Sequence, residues 1–215
     1  MANIALSIAL SKRVEPAFAP LEVPALKPLI QNGLDRGILA EIIGPRSAGC
    51  TSVFLHVLAQ ATRRGEICAV VDVADTFHPA AAADSGIQLQ RLLWVRCHGN
   101  PEHAMRAADL LLHAGGFGVV LLNLCEASAH MLNRVPLSYW YRFRRAIENT
   151  PTILVVCATA SEVKCSAVTK LHLKPKAFHW GGRAPFSVLR GIEVQAAETH
   201  SSLVSLEPLR LQTVA

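Results

Sequence analysis

Residues 41 to 51 read Glu41-Ile42-Ile43-Gly44-Pro45-Arg46-Ser47-Ala48-Gly49-Cys50-Thr51. Two glycines at this spacing, with a hydroxyl residue just beyond, form the skeleton of a phosphate-binding loop. The chemistry of such a loop is electrostatic. Backbone N–H groups and a helix N-terminus face the phosphates, a lysine neutralises them, and a Ser/Thr hydroxyl holds Mg²⁺. Here Gly44, Ser47, Gly49 and Thr51 keep the outline, but Cys50 occupies the lysine position. Arg46 is the cation that remains in the loop. A second part of the apparatus would be an aspartate closing the strand Phe117-Gly118-Val119-Val120-Leu121-Leu122-Asn123. Asn123 stands there, and an amide cannot supply the negative charge that a Mg²⁺ site uses. The expectation is a non-catalytic chain without ATP, Mg²⁺ or another cofactor. Two structural alternatives stay open: a plain strand–helix turn, or weak nucleotide binding through backbone amides assisted by Arg46.

These residues need a strand–loop–helix frame, and the sequence supplies one. Ile38–Ile43 reads as a strand, Gly44–Cys50 as a loop, and Thr51–Arg64 as a helix ending in basic residues. The alternation continues with strands at Ile67–Asp72, Leu92–Val95, Gly118–Leu122 and Thr152–Val156. Helices are expected at Ala80–Asp84, Pro101–His113 and Pro136–Asn149. Alternating strands and helices predict an α/β fold with a mostly parallel sheet covered on both faces. After about Val168 the pattern changes. Val168–Leu173, Ala177–Trp180 and Phe186–Val194 read as strands joined by tight turns, an antiparallel C-terminal extension. Near the start, Pro16, Pro20, Pro24 and Pro28 suggest an extended entry and a short helix over Ala25–Leu34. Residues 1–24 are read as an N-terminal segment and 25–215 as one domain.

The 215 residues are 51% hydrophobic and 17% charged, which excludes a disordered chain. The longest apolar runs are too short to span a bilayer. At the N-terminus, Lys12 and Arg13 follow the apolar stretch instead of preceding it, so no secretory signal is read. The six cysteines lack CxxC spacing, and the nine histidines lack metal-ligand spacing, so no metal site is expected. Cys68, Cys97, Cys125 and Cys157 lie in apolar segments and read as buried thiols of a reducing cytoplasm.

Charge is uneven. Residues 127–191 carry ten Lys/Arg against Glu148 and Glu162, a net +8, whereas the whole chain is +5. This basic half suits a polyanion or an acidic protein. The aromatic–basic segment Tyr139–Arg145 offers Trp140, Arg142, Arg144 and Arg145 to a partner or to single-stranded DNA. The alternative is an amphipathic helix with its rings packed on the sheet. Lys174, Lys176, Arg183 and Arg190 flank the C-terminal strands and join the same candidate surface. Trp94, inside an apolar strand, is expected in the core.

Several stretches together carry a resemblance. Glu41–Gly49 and Cys68-Ala69-Val70-Val71-Asp72 with Asp75 and Pro79 resemble the RecA recombinase core. Gly44–Ser52, Ala61–Glu66, Leu92–Arg96 and Leu189–Glu193 extend the likeness, over about residues 22–197, to the ImuA family within the RecA/SulA/ImuA superfamily. That likeness implies a RecA-like core and a role in SOS-induced, error-prone translesion DNA synthesis. It also implies partners: an ImuB-like inactive polymerase homologue, an error-prone C-family DNA polymerase and the sliding clamp, in the bacterial cytoplasm near the nucleoid. Measured against RecA, the catalytic glutamate position falls on Ala74. Asp75 is out of register, and Thr159–Ala167 is too short for the glycine-rich DNA loop. The alternatives are a weak ATPase in DNA repair and a SulA-like inhibitor of cell division. Ile4–Leu10 is apolar and could dock on a second copy, as RecA's N-terminal strand does, or fold back on its own chain.

Overall fold

The computed structural model describes residues 20–133, 135–163, 169–182, 186–198, 204–205 and 209–210. Five short apolar runs become parallel strands: β1 (Leu39–Ile43), β2 (Cys68–Asp72), β3 (Leu92–Arg96), β4 (Val119–Asn123) and β5 (Ile153–Ala158). Every residue of β1, β2, β4 and β5 is buried, as a strand sandwiched between helical layers requires. The long strands β6 (Thr169–Gly181) and β7 (Val188–Glu198) follow, with two-residue strands β8 (Val204–Ser205) and β9 (Leu209–Arg210). Sheet order is β3-β2-β4-β5-β1-β6-β7-β8, with β9 also on β7. The pairings from β3 through β6 are parallel, and those made by β7 are antiparallel. The expected fold class is therefore observed.

Strand alternation splits the core in two. Ala40 and Ile42, Val70, Leu121 and Val155 face one side, where Val53, Phe54, Val57 and Leu58 of α1 (Cys50–Arg63) cover them. Leu39, Val71, Leu122 and Val156 face the other, beneath α3 (Pro101–Ala114) and α5 (Ser138–Ile147). Met105, Ala108, Phe143 and Ile147 supply that second layer. The short helices α2 (Pro79–Asp84) and α4 (Ala129–Leu132) complete the set. Pro79 and Pro101 start their helices, and Asn100 caps α3 by accepting from the N–H groups of Glu102 and His103.

Three expectations need correction. Over Ala25–Leu34 the chain makes only a 3-10 turn at Pro24–Leu26. Pro28 has no N–H to continue a helix, and Leu21 and Leu34 exchange backbone hydrogen bonds at 2.8 and 2.9 Å that close the segment into a loop. Gly33 makes the closure feasible: its φ is +80°, and a β-carbon there would lie 2.5 Å from the Leu21 carbonyl oxygen. Second, the two strands expected over 168–180 are one strand, β6. Its first residues run parallel to β1, so the antiparallel part begins only at β7. Trp94 is only half-buried, because β3 is an edge strand; its ring meets Phe77 at 5.6 Å and lies under the Arg96 guanidinium. Ile4–Leu10 lies outside the described residues. No described helix is long and apolar enough to cross a membrane.

At the end of the sheet away from the glycine loop, a buried ion pair ties distant segments together. Arg36 donates to Glu66 at 2.6 and 2.8 Å, and to the carbonyls of Gly118 and Pro151 at 3.3 and 3.2 Å. The Arg36 side chain is only 6% exposed. Removing one partner of such a pair leaves the other desolvated and alone. Arg36→Ala should therefore lower unfolding free energy by on the order of 3 kcal/mol, read by urea denaturation. A change below about 0.5 kcal/mol would mean that the pair contributes no more than a surface contact.

Candidate functional site

The loop between β1 and α1 sits at the C-terminal ends of the parallel strands, where open α/β sheets place their ligands. Gly49, at the N-cap of α1, has φ +89°, and Ser47 is also left-handed at φ +63°. The loop is tightly wound on itself. The Ala48 N–H, one of the amides a phosphate would need, donates to Pro45 O at 3.0 Å. A β-carbon at Gly44 would come within 2.9 Å of the Ala48 β-carbon and the Leu173 carbonyl oxygen, and 3.0 Å from the Cys50 sulfur. Close packing alone therefore explains glycine at 44. Thr51 is exposed on the first turn of α1, and no acidic side chain shares that turn.

Cys50 is buried, with its thiol turned back toward the Gly44 carbonyl at 3.9 Å. Burial pushes this thiol up to about 11, against a backbone hydrogen bond that acts the other way. It is neutral at physiological pH and offers neither charge sign to a ligand. Cys125, next to the loop, is raised to about 12, again chiefly by burial. Arg46 remains exposed but is paired with Glu126, which follows β4. Any nucleotide using Arg46 would have to displace that carboxylate.

Asn123 has a different occupation from metal binding. Asp72, fully buried at the end of β2, sits opposite it in the β2–β4 register. The Asn123 amide donates to Asp72 Oδ1 at 3.2 Å and to Thr76 Oγ1 at 3.2 Å. Asp72 Oδ2 accepts from the Phe77 N–H at 2.7 Å, and Thr76 Oγ1 donates to Oδ1 at 3.4 Å. A buried carboxylate thus rests on neutral donors, and an amide at 123 is what the arrangement requires. An aspartate there would set two carboxylates face to face in a dry site. Asp75, three residues after Asp72, is held by Arg96 at 3.1 Å and His98 at 2.7 Å. Among the described residues, no group of three His, Cys, Asp or Glu could hold a metal ion.

Sequence reasoning missed Glu41. It lies in the middle of β1 with no exposure and points to the second face, beside Leu39. Its Oε1 accepts from the N–H groups of Glu162 and Val163 at 2.6 and 2.9 Å. Its Oε2 accepts from Ser161 Oγ at 3.0 Å and pairs with Lys170 at 3.0 Å. Glu41 therefore anchors the start of the segment after β5, which the RecA resemblance assigns to a DNA loop. The available signal was an acid within an otherwise apolar strand.

The basic candidates do not form one cluster. Trp140 is buried, packed edge-on against Phe143 at 5.9 Å, so it belongs to the core and not to a partner surface. Arg142 pairs with Asp109 of α3 and lies 5.7 Å over Tyr139. Arg144 and Arg145 point into solvent on α5. Lys174, Lys176 and Arg190 are exposed on β6 and β7, and Arg183 lies outside the described residues.

Comparison with known proteins agrees with this architecture. Residues 26–131 match the RecA N-terminal domain family. The chain is 40% identical over 95 residues to Protein RecA of Rhodospirillum rubrum, covering 44% of this chain and 26% of that protein. Protein RecA of Methylococcus capsulatus is 40% identical and that of Chlorobium limicola 37%, each over 95 residues, with 44% of this chain and 27% of the relative covered. The matched stretch spans about a quarter of the length of these relatives. Residues 26–131 are thus similar to the RecA N-terminal domain, and the mostly parallel sheet with antiparallel C-terminal strands is consistent with a RecA-like core.

Two outcomes are expected. Asn123→Asp should lower stability at pH 7 by on the order of 2 kcal/mol. The paired carboxyls would raise one pKa above its unfolded value, so the penalty should fade as pH drops through that raised value. A pH-independent penalty in denaturation curves would contradict the two-carboxylate argument. Cys50 should alkylate with iodoacetamide at pH 8 roughly a hundredfold more slowly than an exposed thiol, read by peptide mass spectrometry.

Proposed function

We propose that this chain is a non-catalytic RecA-like adaptor of the ImuA type, acting in SOS-induced, error-prone translesion DNA synthesis. It would link an ImuB-like inactive polymerase homologue to an error-prone C-family DNA polymerase. The observation that carries this reading is the reuse of the nucleotide-site positions for packing. Cys50 replaces the lysine as a buried neutral thiol, and Asn123 replaces the metal aspartate as a donor to Asp72. Arg46 is engaged by Glu126, and the glutamate position is Ala74. Three losses in one site, with the remaining cation engaged, leave little with which to stabilise a transferring phosphoryl group. The scaffold alone does not set function, since related cores host many activities.

Arg144 and Arg145, exposed on α5 with no acidic partner among the described residues, are the part of the basic helix best placed for a protein contact. Charge reversal of both should weaken capture of the ImuB-like protein about tenfold or more in a pull-down with purified components. Arg142→Glu alone should act mainly through stability, because it breaks the pair with Asp109. Titration with a fluorescent ATP analogue and Mg²⁺ should show no saturable binding in the micromolar range and no turnover. Mg²⁺-dependent hydrolysis would overturn the adaptor reading in favour of an ATPase. Unchanged capture by the charge-reversed chain would remove α5 as the contact. Self-association through residues 1–20 is a further part of the proposal; an unchanged mass on light scattering after their removal would refute it.

A further inference from the structure

The outer half of the β6–β7 hairpin has the properties of a binding edge. β1 pairs with β6 only from Thr169 to His172, and the β1 strand then ends at Ile43. Next, the Leu173 carbonyl abuts Gly44 of the glycine loop. From Lys174 to Gly181, β6 has β7 on one side and, among the described residues, no strand on the other. Alternate backbone N–H and C=O groups of such an edge point outward and are a template for another strand. Pro175 lacks an N–H, and the register with β7 shifts between Pro175 and Ala177, and again between His179 and Trp180, where β7 carries the extra residue Arg190. The stretch able to accept a strand is therefore Ala177–Gly181.

Exposed rings concentrate at this point. Phe178 is 45% exposed, Trp180 65% and Phe186 82%. Single exposed apolar side chains need no explanation, but three aromatics within nine positions form a patch. Phe178 and Trp180 are two apart in one strand, about 7 Å along it, and share a side. Gly182 turns at φ +93° against the Phe186 carbonyl, and the Arg190 side chain lies across Gly181, where any β-carbon would collide with its Nε and Cδ. By strand alternation the Arg190 side chain therefore lies on the face of Gly181, opposite the one that carries Phe178 and Trp180. Lys174, Lys176, His179 and Arg190 are exposed along the same two strands, and Glu193, opposite Ala177, is engaged by Lys176 at 3.5 Å.

We infer that the Ala177–Gly181 edge, with Phe178, Trp180 and Phe186, docks an extended acidic–apolar segment of a partner protein by strand addition. Main-chain hydrogen bonds would supply affinity, the rings would take alternate apolar side chains, and the basic rim would select acids between them. Single-stranded nucleic acid could use the rings and cations, but the outward carbonyls of a strand edge have nothing to accept from phosphate oxygens. The inference does not rest on the adaptor reading, because a chain that hydrolysed ATP would carry the same hairpin.

The test uses the full chain and a fluorescein-labelled ten-residue peptide alternating glutamate with valine or leucine, read by fluorescence anisotropy. Saturable binding is expected. It should weaken tenfold or more in the Trp180→Ser/Phe186→Ser double variant, and again in Arg190→Glu as an independent variant, each with an unchanged circular dichroism spectrum. N-methylation of alternate peptide residues should abolish binding, and a 20-residue oligothymidylate should not displace the peptide. No saturable binding by the unaltered chain would overturn the inference. So would indifference to both variants, indifference to N-methylation, or displacement by the oligonucleotide.

Discussion

A carboxylate buried in a parallel sheet has to be fully satisfied or it unfolds the sheet around it. Two such groups, Asp72 and Glu41, organise the functional end of this molecule. Asp72 draws in the Phe77 N–H, the Thr76 hydroxyl and the Asn123 amide, fixing the turn after β2 against the end of β4. Glu41 draws in two backbone N–H groups, a serine and a lysine, fixing the segment after β5 against the start of β6. Between these two centres lies the glycine loop. Its position is set by neighbours whose hydrogen-bonding capacity is already committed.

That arrangement is the physical basis for proposing that phosphoryl transfer is absent. A position that holds a metal aspartate in a nucleotide site is here the donor to another carboxylate. Restoring the aspartate would not restore a metal site, because the new charge would face Asp72 before it faced a cation. The thiol at 50 is similarly absorbed, packed under Gly44 and Leu173. Two of the loop's glycines have structural reasons of their own: Gly44 is closely packed and Gly49 takes a left-handed backbone.

The strands and their order of alternation with helices were legible because a doubly covered strand must be apolar throughout, as Val119–Leu122 and Ile153–Ala158 are. Pro101 announced α3, whereas its Asn100 cap emerged only from the structure. The Ala25–Leu34 helix was misread because the closure between Leu21 and Leu34 is a pairing that local propensity does not see. β6 was split in two because Pro175 and a bulge interrupt its alternation, while hydrogen bonding to β7 carries the strand through. At the site, Cys50 and Asn123 could be identified by spacing as departures. What each does instead depends on Gly44, Leu173, Asp72 and Thr76, contacts that only the folded chain creates. Glu41 and Arg36 were hidden for the same reason, their partners lying 30 to about 120 residues away.

The Arg36–Glu66 clamp sits at the pole of the sheet remote from the glycine loop. Cohesion and chemistry are therefore held in separate places. Substitution around the glycine loop leaves the remote fastening intact, so under the adaptor proposal a lineage could abandon catalysis by small steps without passing through an unfolded ancestor. The retained scaffold is then free to be selected for its surfaces.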